Sequence, residues 1–298
     1  MKMILSRKFA IYLLIIFLFL SCNEWTFAVD KGVITIALLH LDLRMDDVEY
    51  NRNLIESAIE IAQYHGADWI ITPELAESGF EFVKVIGLSW VDPFPTQWVH
   101  YLMTLAKQND VTLIIGLPER EKETGKFYNS LVVIDDAGRL LGTYRKIKVV
   151  KVAESEKWAE AGDETKIFTL NGVKVGLLIC ADAYWPEVAA QYRGKVNILL
   201  SGANWPPGEC GPDGEWEARS QENQLPLLVC NRTGREVTMD FTQGESVVVD
   251  NGKRLYTLIS PDSSVFLIDW DRKNGTFRLT DALGVEDNCR RVPVKVEK

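Results

Sequence analysis

The sequence predicts a mixed α/β domain built in layers. Two observations carry this: apolar runs alternate with amphipathic helical patterns up to residue 118, and from Tyr128 onward apolar runs follow one another through tight turns. Helices that alternate with strands cover sheet faces, and strands joined as hairpins supply antiparallel partners, so sheet and helix must stack in layers. The chain has 298 residues and is 47% hydrophobic, enough to bury a full core in a single domain. No internal repeat or low-complexity linker interrupts it, and one domain over residues 32–298 is expected.

In chain order, "VITIALLHL" (33–41) reads as a strand. "YNRNLIESAIEIAQYHG" (50–66) then places Leu54, Ile55, Ala58, Ile59 and Ala62 on one helical face, with Gly66 ending the helix. "DWIITPE" is a strand stopping at Pro73 with Glu74 at its carboxyl end, "QWVHYLMTLAKQND" is an amphipathic helix, and "VTLIIGLP" is the next strand. Hairpins follow: "YNSLVVI" turns at 135–138 into "RLLGTYRK", and "TKIFTL" turns at Asn171-Gly172 into "VKVGLLIC". A helix opens at Pro186, "VNILLS" is a strand, a helix covers about 214–224, "PLLVCN" is a strand, and "ESVVVDNGKRLYTL" is a hairpin around Asn251-Gly252.

The first residues differ in kind. Lys2, Arg7 and Lys8 precede an unbroken apolar run from Phe9 to Leu20 that ends at Ser21-Cys22, the pattern of a secretory signal. The run is shorter than the ~20 residues that cross a bilayer. A cysteine directly after a small residue resembles the bacterial lipobox; Ser21 and Cys22 fit it, whereas Phe19 and Leu20 depart from it. The expectation is a signal over 1–22, acylation at Cys22, a tether over 23–31, and an exported lipoprotein held on the membrane of the cell envelope. Ordinary cleavage and an uncleaved anchor are the alternatives.

Export would let the five cysteines meet an oxidising compartment. Cys230 lies in apolar "LPLLVC", and Cys210 with Cys289 is the one pair in hydrophilic sequence; whether they bond stays open. The net charge of −9 and pI near 5.1 argue against a nucleic-acid partner, because phosphate binding relies on clustered Lys and Arg. His40, His65 and His100 are scattered, so no metal site is expected.

Three polar residues end apolar strands: Glu74 after "WIITP", Lys146 after "LLGTYR" and Cys180 after "VGLLI". Singly, each has a structural explanation, as a solvated strand end or a small core thiol. Together they form a chemical set. A thiol with a reference pKa of about 8.5 needs a base or a neighbouring cation to act as a nucleophile at neutral pH.

Here the sequence resembles the nitrilase superfamily of carbon-nitrogen hydrolases. The resemblance is carried by "GADWIITPELAESGF", "YNSLVVIDDAGRLLGTYRK" and "CADAYWPE"; "ARSQENQLPLLVCNRTG" and the "GESVVVDNG" hairpin extend it over nearly all of 33–258. It implies a four-layer αββα sandwich of the nitrilase type and a Glu-Lys-Cys triad with Glu74 as general base, Lys146 as cation and Cys180 as nucleophile. Lys146 and the Ala181 N–H would hold the oxyanion. A second glutamate is implied in "VAESEKWAEAGD", either Glu156 or, with one slip, Glu154. Trp205 falls near the family's substrate site, with half-buried packing as the other reading; Tyr184 and Trp185 read as packing.

The resemblance further implies hydrolysis of a small-molecule amide or ureido substrate through a cysteine thioester, no cofactor, and a homodimer. The same triad serves nitrile hydrolysis and N-acyl transfer in other members, and a catalytically inert binding lipoprotein on this scaffold is a further reading. "CADAYWPE" is also similar to the nucleophile region of N-carbamoylputrescine amidohydrolases, where Asp182 would face a cationic substrate tail. The other reading of Asp182 is a cap on the turn before Pro186, and Arg219 is the candidate partner for a carboxylate tail.

Overall fold

The computed structural model describes residues 32–285, apart from 152–153 and 209–210, together with 295–297. The signal, the tether, Cys22, Cys210 and Cys289 lie outside the described residues. In chain order the elements are β1 (Val33–His40), α1 (Val48–Tyr64), β2 (Trp69–Ile71), α2 (Gln97–Asn109), β3 (Thr112–Arg120), β4 (Phe127–Ile134), β5 (Leu140–Arg145), β6 (Ile167–Leu170) and β7 (Val173–Ile179). They continue as α3 (Pro186–Ala189), β8 (Ile198–Gly202), α4 (Glu215–Asn223), β9 (Leu227–Cys230), β10 (Ser246–Asp250), β11 (Lys253–Ile259), β12 (Ser264–Asp271), β13 (Thr276–Gly284) and β14 (Lys295–Glu297).

The strands form two seven-stranded sheets. The first runs β13-β12-β1-β2-β3-β4-β5 and the second β14-β11-β10-β9-β8-β7-β6. In the first, β1, β2 and β3 are parallel, joined by the α1 and α2 crossovers; in the second, β7, β8 and β9 are parallel. Hairpins supply the antiparallel neighbours, including the β6–β7 and β10–β11 pairs, whose Asn171 and Asn251 adopt φ of 48° and 49°. Mixed sheets with helical crossovers at the centre and hairpins at the edges are what the alternating pattern followed by tight turns requires.

Each sheet has two covered faces. Ile36, Leu38, Trp69, Ile71, Leu131 and Val133 of the first sheet share one core with Val175, Leu177, Leu200 and Val229 of the second. On the far side of the first sheet, Ala37, Leu39, Ile70 and Leu113 pack against Ile55, Ala58 and Ile59 of α1 and Val99 and Leu102 of α2. Beyond the second sheet, the Tyr192 ring lies where a Cβ on Gly176 would meet it, and α4 packs on β9, β10 and β11. The αββα sandwich is thus present.

Three elements differ from the sequence reading. α1 starts at Val48 because the Asp47 side chain accepts from the Tyr50 N–H at 2.9 Å and caps it. The helix opening at Pro186 is a single turn that tightens into a 3₁₀ turn over Ala190–Tyr192. Beyond 258 the structure adds the β12–β13 hairpin, with β12 antiparallel to the whole of β1 from Val33↔Asp271 to His40↔Ser264. "SVFLIDWD" is buried on both faces over most of its length, so it lacks the alternation that marks a strand.

Two glycines set the packing where β2 ends: Gly116 of β3 admits the chain that leaves β2 within the first sheet, and Gly202 of β8 lets the second sheet approach it. A Cβ on Gly116 of β3 would collide with the Pro73 carbonyl oxygen and lie 2.8 Å from Leu75 N; one on Gly202 of β8 would lie 3.0 Å from Thr72 O. Thr72 secures the contact by accepting the Gly116 N–H at 2.8 Å through Oγ1. Gly116→Ala is expected to cost about 1–3 kcal/mol by overpacking backbone against backbone, lowering the melting temperature by several degrees. A melt that matches the wild type would show that this close approach is not required.

Candidate active site

The close approach sets the position of Glu74, which leaves the carboxyl end of β2. Its side chain is fully buried, with Oε1 accepting from Lys146 Nζ at 2.7 Å and from Asn129 Nδ2 at 2.7 Å, and Oε2 accepting the Asn204 N–H at 3.0 Å. Lys146 follows β5 and is 1% exposed. Its ammonium also donates to Glu156 Oε1, and the other Glu156 oxygen accepts the Val150 N–H at 2.8 Å. Glu156 is therefore the glutamate whose carboxylate meets the lysine. It sits at the end of a 3₁₀ turn over Glu154–Glu156, which Trp158 braces by donating from Nε1 to the Ser155 carbonyl at 2.8 Å.

Cys180 ends β7 from the opposite sheet with a φ of +44°, a left-handed conformation that costs a non-glycine residue about 1–3 kcal/mol. The strained turn opens a 3₁₀ helix over Cys180–Tyr184, so the Ala181 N–H lies in a first turn, where helical geometry offers no intrahelical acceptor. The thiol points to the Asn204 carbonyl, 3.8 Å away. Asn204 thus touches both groups: its N–H holds Glu74 Oε2, its Nδ2 donates to the Glu74 carbonyl at 2.7 Å, and its own carbonyl faces the sulfur.

Burial pushes the Glu74 carboxyl above its ordinary range, while the Lys146 charge pulls the other way. Burial alone would strip the Lys146 proton, but the Glu156 and Glu74 carboxylates outweigh it and hold the ammonium well above its usual pKa. The Cys180 thiol is pushed well up by burial and by the Glu74 charge, against the pull of Lys146. Sulfur therefore rests as a thiol and attacks only if a neighbour takes its proton. Glu74 Oε1 already serves two donors, whereas Oε2 serves the Asn204 N–H, which leaves Oε2 the oxygen with acceptor capacity to spare.

Asp182 takes the capping role rather than facing a cationic substrate tail. It is 0% exposed, with Oδ2 accepting from the Ile179 N–H at 3.0 Å and the Tyr144 hydroxyl at 2.7 Å, and Oδ1 accepting from the Lys148 N–H at 2.8 Å and the Ile147 N–H at 3.2 Å. The turn it caps is the one at the cysteine, one element earlier than the helix at Pro186, and the same carboxylate ties that turn to the segment after Lys146. Arg219, also buried, donates from NH1 to the Ala183 carbonyl at 2.8 Å and pairs with Glu222 at 2.7 Å. It braces the same 3₁₀ helix.

Trp205, 4% exposed, packs its ring between Tyr184 and Trp216 at centroid distances of 4.7 and 5.4 Å. Asn231 clamps its backbone on both sides, accepting the Trp205 N–H at 3.1 Å and donating to its carbonyl at 2.8 Å. Tyr184 and Trp185 are 43% and 49% exposed, so they are less buried than a packing role implies. Asn129 and Asn204 were not singled out from sequence. Asn129 stands in the quoted "YNSLVVI" and Asn204 in "SGANW" just past "VNILLS", where an asparagine reads as a turn or strand-end residue until its partners are known. Among the described residues no group of His, Cys, Asp and Glu is placed to hold a metal ion.

Residues 35–272 match the family described as carbon-nitrogen hydrolase. The chain belongs to that family. It is 29% identical over 262 residues to the 2-oxoglutaramate amidase of Bacillus subtilis, covering 86% of this chain and 98% of that protein. It is 32% identical over 219 residues to the (R)-stereoselective amidase of a Pseudomonas species, covering 72% and 77%. Among solved structures, a mutant amidase from Nesterenkonia sp. AN1 that carries the product of Michael addition of acrylamide at its active-site cysteine is 25% identical, covers 78% of this chain and 92% of that one, and superposes with a TM-score of 0.68. The chain is thus similar to amidases that work through a cysteine in at least one solved case.

Proposed function

We propose that this carbon-nitrogen hydrolase cleaves a small linear amide or ureido substrate through a thioester on Cys180. The observation that carries the reading is the buried Glu74–Lys146–Glu156 cluster beside a thiol that lies on a strained left-handed turn. Glu74 Oε2 takes the thiol proton as sulfur attacks the carbonyl carbon. The oxyanion is held by the Lys146 ammonium and the Ala181 N–H. Glu74 returns its proton to the leaving nitrogen, the carbon–nitrogen bond breaks, and ammonia or an amine departs. Water then gives a proton to Glu74 and attacks the thioester, releasing the acid and the thiolate, which recovers the proton.

The relatives include nitrilases as well as amidases, and the choice of amide over nitrile follows the amidases among them and among the solved structures. Glu156 anchors Lys146, and Trp205 walls the site beside Asn204. Cys180→Ala, Glu74→Gln and Lys146→Ala are each expected to lose at least about 100-fold in turnover while keeping the fold, read as ammonia or amine release across an amide and ureido panel. Substantial turnover by Cys180→Ala would sink the mechanism. Glu74 must be ionised to take the thiol proton, and its pKa is raised. Activity should therefore fall with decreasing pH through a limb above the ordinary glutamate value of about 4.3; a limb at or below that value would contradict the burial argument.

We also propose that the chain is exported and anchored through acylated Cys22, and that it works as a homodimer. Two or three acyl chains on one cysteine hold a protein firmly on a membrane. Wild-type protein should enter the detergent phase on phase separation and Cys22→Ser should not, unless it stays as an unprocessed precursor. Wild type in the aqueous phase would remove the anchor.

A further inference from the structure

Lys146 brings one positive charge to two carboxylates. Its ammonium donates to Glu74 Oε1 at 2.7 Å and to Glu156 Oε1, and all three side chains are at most 1% exposed. Two carboxylates that share one cation away from water raise each other's pKa, and the ordinary outcome is that one takes a proton. A protonated Glu74 is a neutral acid, far too weak a base to take the thiol proton. Some neutral donor must supply what the single cation does not.

Asn129 of β4 is that donor. Its Nδ2 lies 2.7 Å from Glu74 Oε1 and 3.2 Å from Glu156 Oε1, so one amide nitrogen serves both carboxylates. The orientation is fixed by charge, because the flipped amide would set a carbonyl oxygen against two anions. In the orientation present, Oδ1 is buried without a hydrogen-bond partner, a penalty that makes sense only if the nitrogen is needed where it is. The backbone keeps the pieces in register: the Lys146 N–H donates to the Asn129 carbonyl at 2.8 Å, so the strand that carries the amide also holds the residue that carries the ammonium.

We propose that Asn129 is a positioning residue: by bridging Glu74 and Glu156 it lets both remain carboxylates around the single ammonium of Lys146. This rests on the reading of Glu74 as the base. The titratable groups around Glu74 are Lys146 after β5, Glu156 on its 3₁₀ turn and the Cys180 thiol after β7. The neighbours of Asn129 on its own strand turn to a separate pair: Ser130 Oγ donates to Glu119, and the Arg145 guanidinium lies over the Tyr128 ring and pairs with Glu119. The Asn129 hydrogen bond pulls the Glu74 pKa down, so removing it moves the loss of base function to higher pH.

The test uses the full chain as wild type, Asn129→Leu and Asn129→Asp. Two pH profiles are recorded: kcat/KM on an amide the wild type turns over, and the rate of Cys180 alkylation by iodoacetamide without substrate, followed by mass of the Cys180 peptide. A hydrogen bond to a charged group is worth about 1.5–3 kcal/mol, so the acid limb of both profiles should move up by about one to two pH units in Asn129→Leu, with activity returning at higher pH. Asn129→Asp keeps the shape where leucine fails to pack and adds a third carboxylate, so its limb should move further. Reduced rates at every pH with the limb in its wild-type place, in either variant, would overturn the proposal. A wild-type alkylation profile that Glu74→Gln leaves unchanged would instead overturn the reading of Glu74 as base.

Discussion

The buried ammonium of Lys146 between Glu74 and Glu156 is the constraint on which the rest of the site depends. Taking three ionised groups out of water is costly, and the arrangement survives only if the charges are paired and their oxygens hydrogen-bonded. Lys146 meets one oxygen of each carboxylate, the Asn129 amide meets the same two, and backbone N–H groups of Asn204 and Val150 meet the remaining oxygens. Asn129 lies on β4, and Lys146 and Asn204 come just past the ends of β5 and β8. The loops that carry chemistry are thereby fixed by the charges they carry.

The base and the nucleophile come from different sheets. Glu74 and Lys146 leave the first, Cys180 and Asn204 leave the second, and the reactive geometry is a property of how the two sheets face each other. Gly202 lets the backbone of the second sheet come against that of Thr72 and Glu74 at this point, and Asn204 spans the gap by holding Glu74 while its carbonyl faces the thiol. Asp182 performs the matching task at the other corner, joining the nucleophile turn to Tyr144 and to the segment after Lys146. The strain at Cys180 is sustained because these contacts over-determine the turn.

The succession of strands and helices along the chain and both Asn-Gly hairpins were legible in the sequence because each has a local signature: a 3.6-residue period, an apolar run or a turn dipeptide. The β12–β13 hairpin was not, since its burial comes from pairing with β1 more than 200 residues earlier. Glu74, Lys146 and Cys180 stood out because a polar residue closing an apolar strand is conspicuous, and Glu156 is identified by its contact with the lysine. Asn129 and Asn204 escaped because an asparagine acquires meaning only from its partners. Asp182 was ambiguous for the same reason: a carboxylate with four protein donors and one awaiting a ligand read alike until the donors are located.

The most direct test is a double-mutant cycle on stability between Lys146 and Glu156, using Lys146→Met, Glu156→Gln and the pair, with unfolding free energies from denaturant titration. Removing the lysine alone strands two buried carboxylates and should cost about 3–5 kcal/mol, as for other broken buried pairs. Neutralising Glu156 as well should recover part of that loss, giving a coupling energy of about 2 kcal/mol or more. Losses that add within about 0.5 kcal/mol, as they do for residues that do not interact, would contradict the account.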